Sequence, residues 1–160
     1  MKKIKASVVK AKLQELGFPT VLANDVELFC PSRKWLTEHL TPHLKQLWST
    51  AFPPDRRPNN EATDCDDYAI VAKSASIMAN AARTNAFEGM AFGVAAVGML
   101  SGTSLNGIPG PGGHVTNFVV TKESDSDEPL FLFYEPQNGN YCPMEGSVGD
   151  FSVVPMWALF

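Results

Sequence analysis

Cysteine is scarce in this 160-residue chain: Cys30, Cys65 and Cys142 are its only thiols, widely spaced and without a CxxC pair. An odd, dispersed set argues against a disulfide framework, and the missing pair excludes a zinc site built on paired thiols. Basic charge is also in short supply. Thirteen Lys and Arg face seventeen Asp and Glu, a net charge of −4 with no basic stripe, which argues against binding nucleic acid through phosphates. The longest apolar run, residues 89–100, is broken by glycines and too short to span a bilayer. The first residues start basic but turn amphipathic at Lys10, Lys12 and Glu15. No secretory signal and no membrane partner are therefore expected, and the expected location is cytoplasmic. What remains is ample for a core: 44% of residues are hydrophobic and 19% charged, at the length of a single domain over 1–160.

Along the chain, apolar spacing predicts a helix over 7–16, stopped by Gly17 and Pro19. Residues 20–22 and 26–29 flank an Asn24-Asp25 turn signal and predict a small hairpin or extended loop. Ser32 is a candidate N-cap for a helix to Leu40, and Thr41-Pro42 opens a second helix carrying Leu44, Leu47 and Trp48. Three prolines and two asparagines in 52–60 predict an irregular surface connection. Thr63 or Asp64 can cap a helix to about Ala82 whose small residues imply close contact with other elements. Residues 90–100 read as a strand, and 101–113, with five glycines and two prolines, as a mobile loop that could gate a cleft. Two β-rich runs, 114–120 and 130–135, flank a charged turn and predict a hairpin.

A hairpin centred between Ser124 and Asp125 would set Val119 opposite Leu130, Asn117 opposite Leu132 and His114 opposite Glu135. A histidine and a carboxylate would then be neighbours at one end of the hairpin. Cys65 lies in the polar run Asp64-Cys65-Asp66-Asp67-Tyr68, at the start of a helix, where unpaired N–H groups and the helix dipole favour a thiolate. Thiol, imidazole and carboxylate together are the parts of a nucleophile, a base and its orienter. Glu61, Asp64, Asp66 and Asp67 crowd that thiol with negative charge, which would raise its pKa unless compensated. A hard, oxygen-liganded cation resolves the conflict, Ca²⁺ first among them, at a spacing unlike an EF-hand loop.

These residues, with His114-Val115-Thr116-Asn117 and Tyr134-Glu135-Pro136-Gln137-Asn138-Gly139, resemble the papain-like, calcium-activated cysteine protease domain of the fairy-ring mushroom agglutinin family of fungal lectins. The resemblance covers about 59–143. It implies Cys65 as nucleophile, His114 as general base and acid, Glu135 as the residue orienting the imidazole and Gln137 as an additional active-site amide. It also places Glu61, Asp66 and Asp67 where the family binds calcium. The carbohydrate-binding trefoil of those lectins is absent, so no glycan-targeting role carries over. No tryptophan shortly precedes Cys65, and Asn59 or Asn60 is the candidate amide donor in its place.

The expected fold is thus α+β, a papain-like or transglutaminase-like core with the nucleophile helix packed on an antiparallel sheet. Residues 1–58 would be a mainly helical part and 59–160 the catalytic core. The expected function is that of a calcium-dependent cysteine peptidase, a hydrolase acting on a peptide or protein substrate, with the Cys65 N–H contributing to an oxyanion hole. Two rivals stand beside it: acyl transfer of the transglutaminase or deamidase type, and a non-catalytic calcium-binding interaction module. Each residue also has a plainer role. Cys65 could simply start a helix, His114 sit in a loop, Glu135 end a strand and the acidic cluster be a solvated first turn. His39 and His43 read as surface or packing residues, and Cys30 as a buried packing residue.

Overall fold

Strand-forming runs rich in Val, Phe and Leu build the centre of the protein. The computed structural model describes residues 2–23, 25–51, 64–84, 89–149 and 153–160. In order, the elements are β1 (Lys2–Lys5), α1 (Ala6–Glu15), β2 (Thr20–Leu22), β3 (Glu27–Cys30), α2 (Arg33–Trp35), a π-helical turn (Leu36–Leu40), α3 (Thr41–Ala51) and α4 (Cys65–Thr84). There follow β4 (Phe92–Met99), β5 (Ser104–Leu105), β6 (Ile108–Pro109), β7 (Gly112–Thr121), β8 (Leu130–Tyr134), β9 (Tyr141–Pro143), α5 (Met144–Gly149) and β10 (Val153–Leu159). One six-stranded sheet, in the order β2-β10-β4-β7-β8-β9, organises them. Its pairings are antiparallel except for β10 with β2.

Successive strand side chains face opposite ways, so each central strand supplies two cores. Ala95, Val97, Phe118, Val120, Phe131 and Phe133 pack with Val9 and Leu13 of α1 and Met144 of α5. Phe92, Val119, Leu132 and Tyr134 face the other way, against Trp35, Leu40, Leu44 and Trp48 and against Tyr68, Ala72 and Ala75 of α4. The alanines let α4 lie close on the sheet, as its composition implied. The coarse expectation, helices packed on a mainly antiparallel sheet in a mixed α/β fold, is the observed one.

Several expected local features are corrected. Residues 20–22 and 27–30 do not form a hairpin: β2 pairs with β10 and β3 with β1. The two helices expected on either side of Thr41 are one continuous helical run. Ser32 caps it, its Oγ accepting from Trp35 N at 3.1 Å, and the π turn precedes Pro42, which has no N–H to give to the preceding helical turn. The glycine-rich 101–113 segment is ordered into a tight β5–β6 hairpin, whose Asn106-Gly107 turn has positive φ at both residues (51° and 90°). Strand β10 carries no recognisable strand signal because a bulge between Pro155 and Trp157 breaks its alternation.

The β7–β8 hairpin also differs in register. Val119 faces Leu132 and Asn117 faces Tyr134, two residues from the expected pairing. The connection from Lys122 to Pro129 is wider than a sharp turn, so its centre moves. A two-residue shift preserves which face each side chain takes. The expected irregular connection at 52–60, together with Asn59, Asn60, Glu61 and Thr63, lies outside the described residues. Among those described, no helix is long and apolar enough to cross a membrane.

Candidate functional site

Strand β8 pairs with β7 only over Asn117–Thr121 and ends at Tyr134. Beyond that point the edge of β7 is left for other partners. Cys65, the first residue of α4, takes one of them: its half-buried sulfur accepts a hydrogen bond from the Val115 N–H at 3.3 Å. The thiol therefore sits one residue from His114, at the notch where β8 stops.

His114 lies on the α1 side of the sheet, with Thr116, Phe118 and Val120. Its Nε2 meets Glu135 Oε2 at 2.7 Å, and the two side chains are 4% and 0% exposed. A buried carboxylate is tolerated only with partners to replace water. Glu135 has two, His114 and the Gln137 backbone N–H, which donates to Oε1 at 3.2 Å; the Thr116 hydroxyl donates to Tyr134 O at 2.8 Å and lies 3.3 Å from Oε2, sharing its proton weakly. In the observed register Thr116 holds the place opposite Glu135 that was expected for His114, and His114 reaches the carboxylate diagonally.

The turn after β8 holds Glu135 from both backbone ends. Glu135 N donates to Asn140 O at 2.8 Å, and Gly139 N donates to Glu135 O at 2.7 Å. Gly139 has a φ of 83°, and a Cβ there would collide with Thr41; only glycine meets both conditions without strain. Trp48 ties this turn to the thiol helix. Its indole Nε1 donates to Pro136 O at 2.8 Å, and its ring meets Tyr68 edge-on at 4.8 Å. Thr41 and Tyr134 share a hydrogen bond of 2.9 Å between hydroxyls, and burial pushes the Tyr134 phenol up to about 12.

The structure thus joins His114 to Glu135 and brings Cys65 beside them at Val115. Among the described residues no hydrogen bond joins the Cys65 sulfur to the His114 ring. Gln137 is exposed and contributes its backbone N–H to Glu135. Asp64, Asp66 and Asp67 are exposed around the start of α4. No three His, Cys, Asp or Glu side chains among the described residues are grouped to hold a metal ion, and Glu61 lies outside them. Sequence reasoning passed over Thr116, Trp48 and Thr41. Thr41 carried a signal as a helix start and Trp48 as an aromatic at helical spacing, and those signals spoke of local structure and packing alone.

No family model and no curated protein matches this chain. Solved structures do. The PSL1a–E64 complex matches with a TM-score of 0.63 at 20% identity, over 99% of this chain and 50% of that one. A structure of the Polyporus squamosus lectin bound to the human-type influenza-binding epitope Neu5Acα2-6Galβ1-4GlcNAc matches with a TM-score of 0.62 at 21% identity, over 99% and 49%. The chain shares its fold with half of a lectin. It spans about half the length of those chains.

This finding corrects several expectations. One fold neighbour is a structure of a lectin with its glycan, so the resemblance to a calcium-activated cysteine protease domain does not stand as an identification. The expected enzyme, a thiol protease and hydrolase with a peptide or protein substrate, is overturned with it. The physical reason lies in what the motifs encode. Short runs around Cys65, His114 and Glu135 specify places on a fold, and a fold hosts many functions.

Proposed function

We propose that this chain, against the expectation that no glycan-targeting role carries over, is a non-catalytic binding module of a lectin-type protein, with a glycan as its ligand class. The match of almost the whole chain to half of the Polyporus squamosus lectin carries this reading. Isothermal titration of the chain with Neu5Acα2-6Galβ1-4GlcNAc, backed by a panel of other glycans, tests it. Saturable binding of at least one glycan is expected. A folded chain that retains none of them sinks the reading.

A second reading concerns the notch at Cys65 and is favoured by one observation, the bonded His114–Glu135 pair beside the Cys65 sulfur. Here Cys65, His114, Glu135 and Gln137 form a reactive-thiol site. The Cys65 sulfur opens an epoxide, the S–C bond forming as the ring C–O bond breaks, and the thiol proton passes by way of His114 to the alkoxide released, while Glu135 holds the ring of His114 and the Gln137 N–H holds Glu135. A thiol-bearing helix set on an antiparallel sheet that bears the imidazole and carboxylate is the arrangement that transglutaminase-like and papain-like folds use.

Calcium belongs to this proposal as a ligand of Asp64, Asp66 and Asp67, with Glu61 completing the set. The three described aspartates do not form a cage by themselves, so affinity is expected to be weak, with a Kd of about 0.1–1 mM. Calcium titration of the wild type and of Glu61→Gln and Asp67→Asn checks it. Binding that neither substitution weakens removes calcium from these residues.

A further inference from the structure

Asn117 is fully buried on the α4 face of β7, where apolar side chains surround it. Its side-chain amide donates twice, to Ala69 O of α4 at 2.8 Å and to Gly93 O of β4 at 2.9 Å. Ala69 lies one helical turn after Cys65 on α4, and Asn117 lies two residues after Val115, on the same face of β7. The Asn117 Oδ1 has no hydrogen-bond partner. An unsatisfied buried carbonyl is costly, so a residue used only for packing would be apolar here. The two donated bonds must be what this position serves. The backbone it grips at β4 is specialised as well: at Gly93 any Cβ would collide with the Phe118 ring, which closes the other face.

We infer that Asn117 is a positioning residue for the Cys65 thiol: by bridging α4 to β4, it fixes the height of the first helical turn on the sheet and so sets the sulfur against the Val115 N–H. This inference deepens the reactive-thiol reading of the notch and rests on it only for the reactivity readout. Apolar packing of Ala69, Ala72 and Ala75 holds α4 on the sheet but resists sliding poorly, because methyl contacts are non-directional. Two hydrogen bonds from one rigid amide have direction, and they act within one turn of the thiol.

The test uses Asn117→Leu, which keeps the shape and removes both donors, with Val119→Ala as a control that removes buried contacts from the same face of β7 without touching α4's carbonyl. Two quantities are read on the folded proteins, well below their melting temperatures. One is the protection of the Val115 amide against hydrogen exchange, with Cys65→Ala giving the value when the sulfur is gone. The other is the rate and pH profile of Cys65 alkylation by iodoacetamide. Asn117→Leu is expected to drop Val115 protection to the Cys65→Ala value and to change the Cys65 rate at least tenfold with a displaced pH profile, while Val119→Ala leaves both at wild type. Wild-type Val115 protection in Asn117→Leu overturns the inference, as does an equal effect of Val119→Ala. A wild-type Cys65 that reacts no faster than Cys142 defeats the reactive-thiol reading instead, and the exchange measurement still decides the role of Asn117.

Discussion

Glu135→Ala is expected to destabilise the protein by about 3–5 kcal/mol, because it leaves the buried donors that the carboxylate serves unsatisfied, at about 1–3 kcal/mol each. The carboxylate is 0% exposed and is bonded to His114 and the Gln137 backbone N–H. Truncation leaves those donors facing a dry hole, and the imidazole above all cannot recover water at 4% exposure. Glu135→Gln keeps an acceptor near the ring and is expected to cost less, about 1–3 kcal/mol. Urea denaturation measures both, as a lower midpoint at unchanged slope. A loss below about 1 kcal/mol for the alanine variant contradicts the buried-pair account.

Iodoacetamide and E64 are expected to modify Cys65 far ahead of the other two thiols, by about a hundredfold or more in rate at pH 8. Cys30 is 1% exposed, and burial pushes its thiol up to about 11. At pH 8 only about one Cys30 in a thousand is then a thiolate. Burial also raises the Cys142 thiol, against a contact with the Ser147 hydroxyl that lowers it. Cys65 sits half-buried at a helix start with a backbone N–H on its sulfur. Peptide mapping after partial labelling, with calcium and with chelator, gives the order. Modification of Cys142 first, or of all three alike in the folded state, sinks the thiol reading. The buried Cys30 also has a stability consequence of fixed sign. Its folded-state pKa lies above the ordinary 9, so the protonated form favours the fold, and that contribution is lost as pH rises from about 9 through about 11.

Much of the site's scaffold was legible from local chemistry. Ser32 announced a cap, residues 114–120 and 130–135 announced paired strands, and the small residues of α4 announced close contact with other elements. The face taken by His114 and Asn117 was also legible, because strand alternation survives a two-residue slip. The register itself was not, since the span from Lys122 to Pro129 leaves several turn centres open and only packing of Val119 and Leu132 on α4's side and of Val120 and Phe131 on the other chooses one. Residues 101–113 misled for a related reason: glycine and proline signal turns equally in a mobile loop and in a tight hairpin such as that at Asn106-Gly107.

Function was less legible still. Cys65, His114 and Glu135 carry the same letters whether the chain binds a glycan or its thiol reacts with an electrophile, and it was the likeness to half of a lectin that removed the peptidase reading. By itself the amino-acid order determined the helices over 7–16, 32–51 and 65–82, the strands over 90–100, 114–120 and 130–135 to within a few residues, and the neighbourhood of imidazole and carboxylate, because each follows from short-range patterns in the chain. Tertiary structure alone decided that β8 ends at Tyr134 and frees the Val115 N–H for the sulfur, that Thr116 stands opposite Glu135, and that Trp48 and Asn117 bind the thiol helix to the turn and the sheet. Those contacts join residues tens of positions apart, and nothing in a local pattern fixes where two distant segments stop alongside each other.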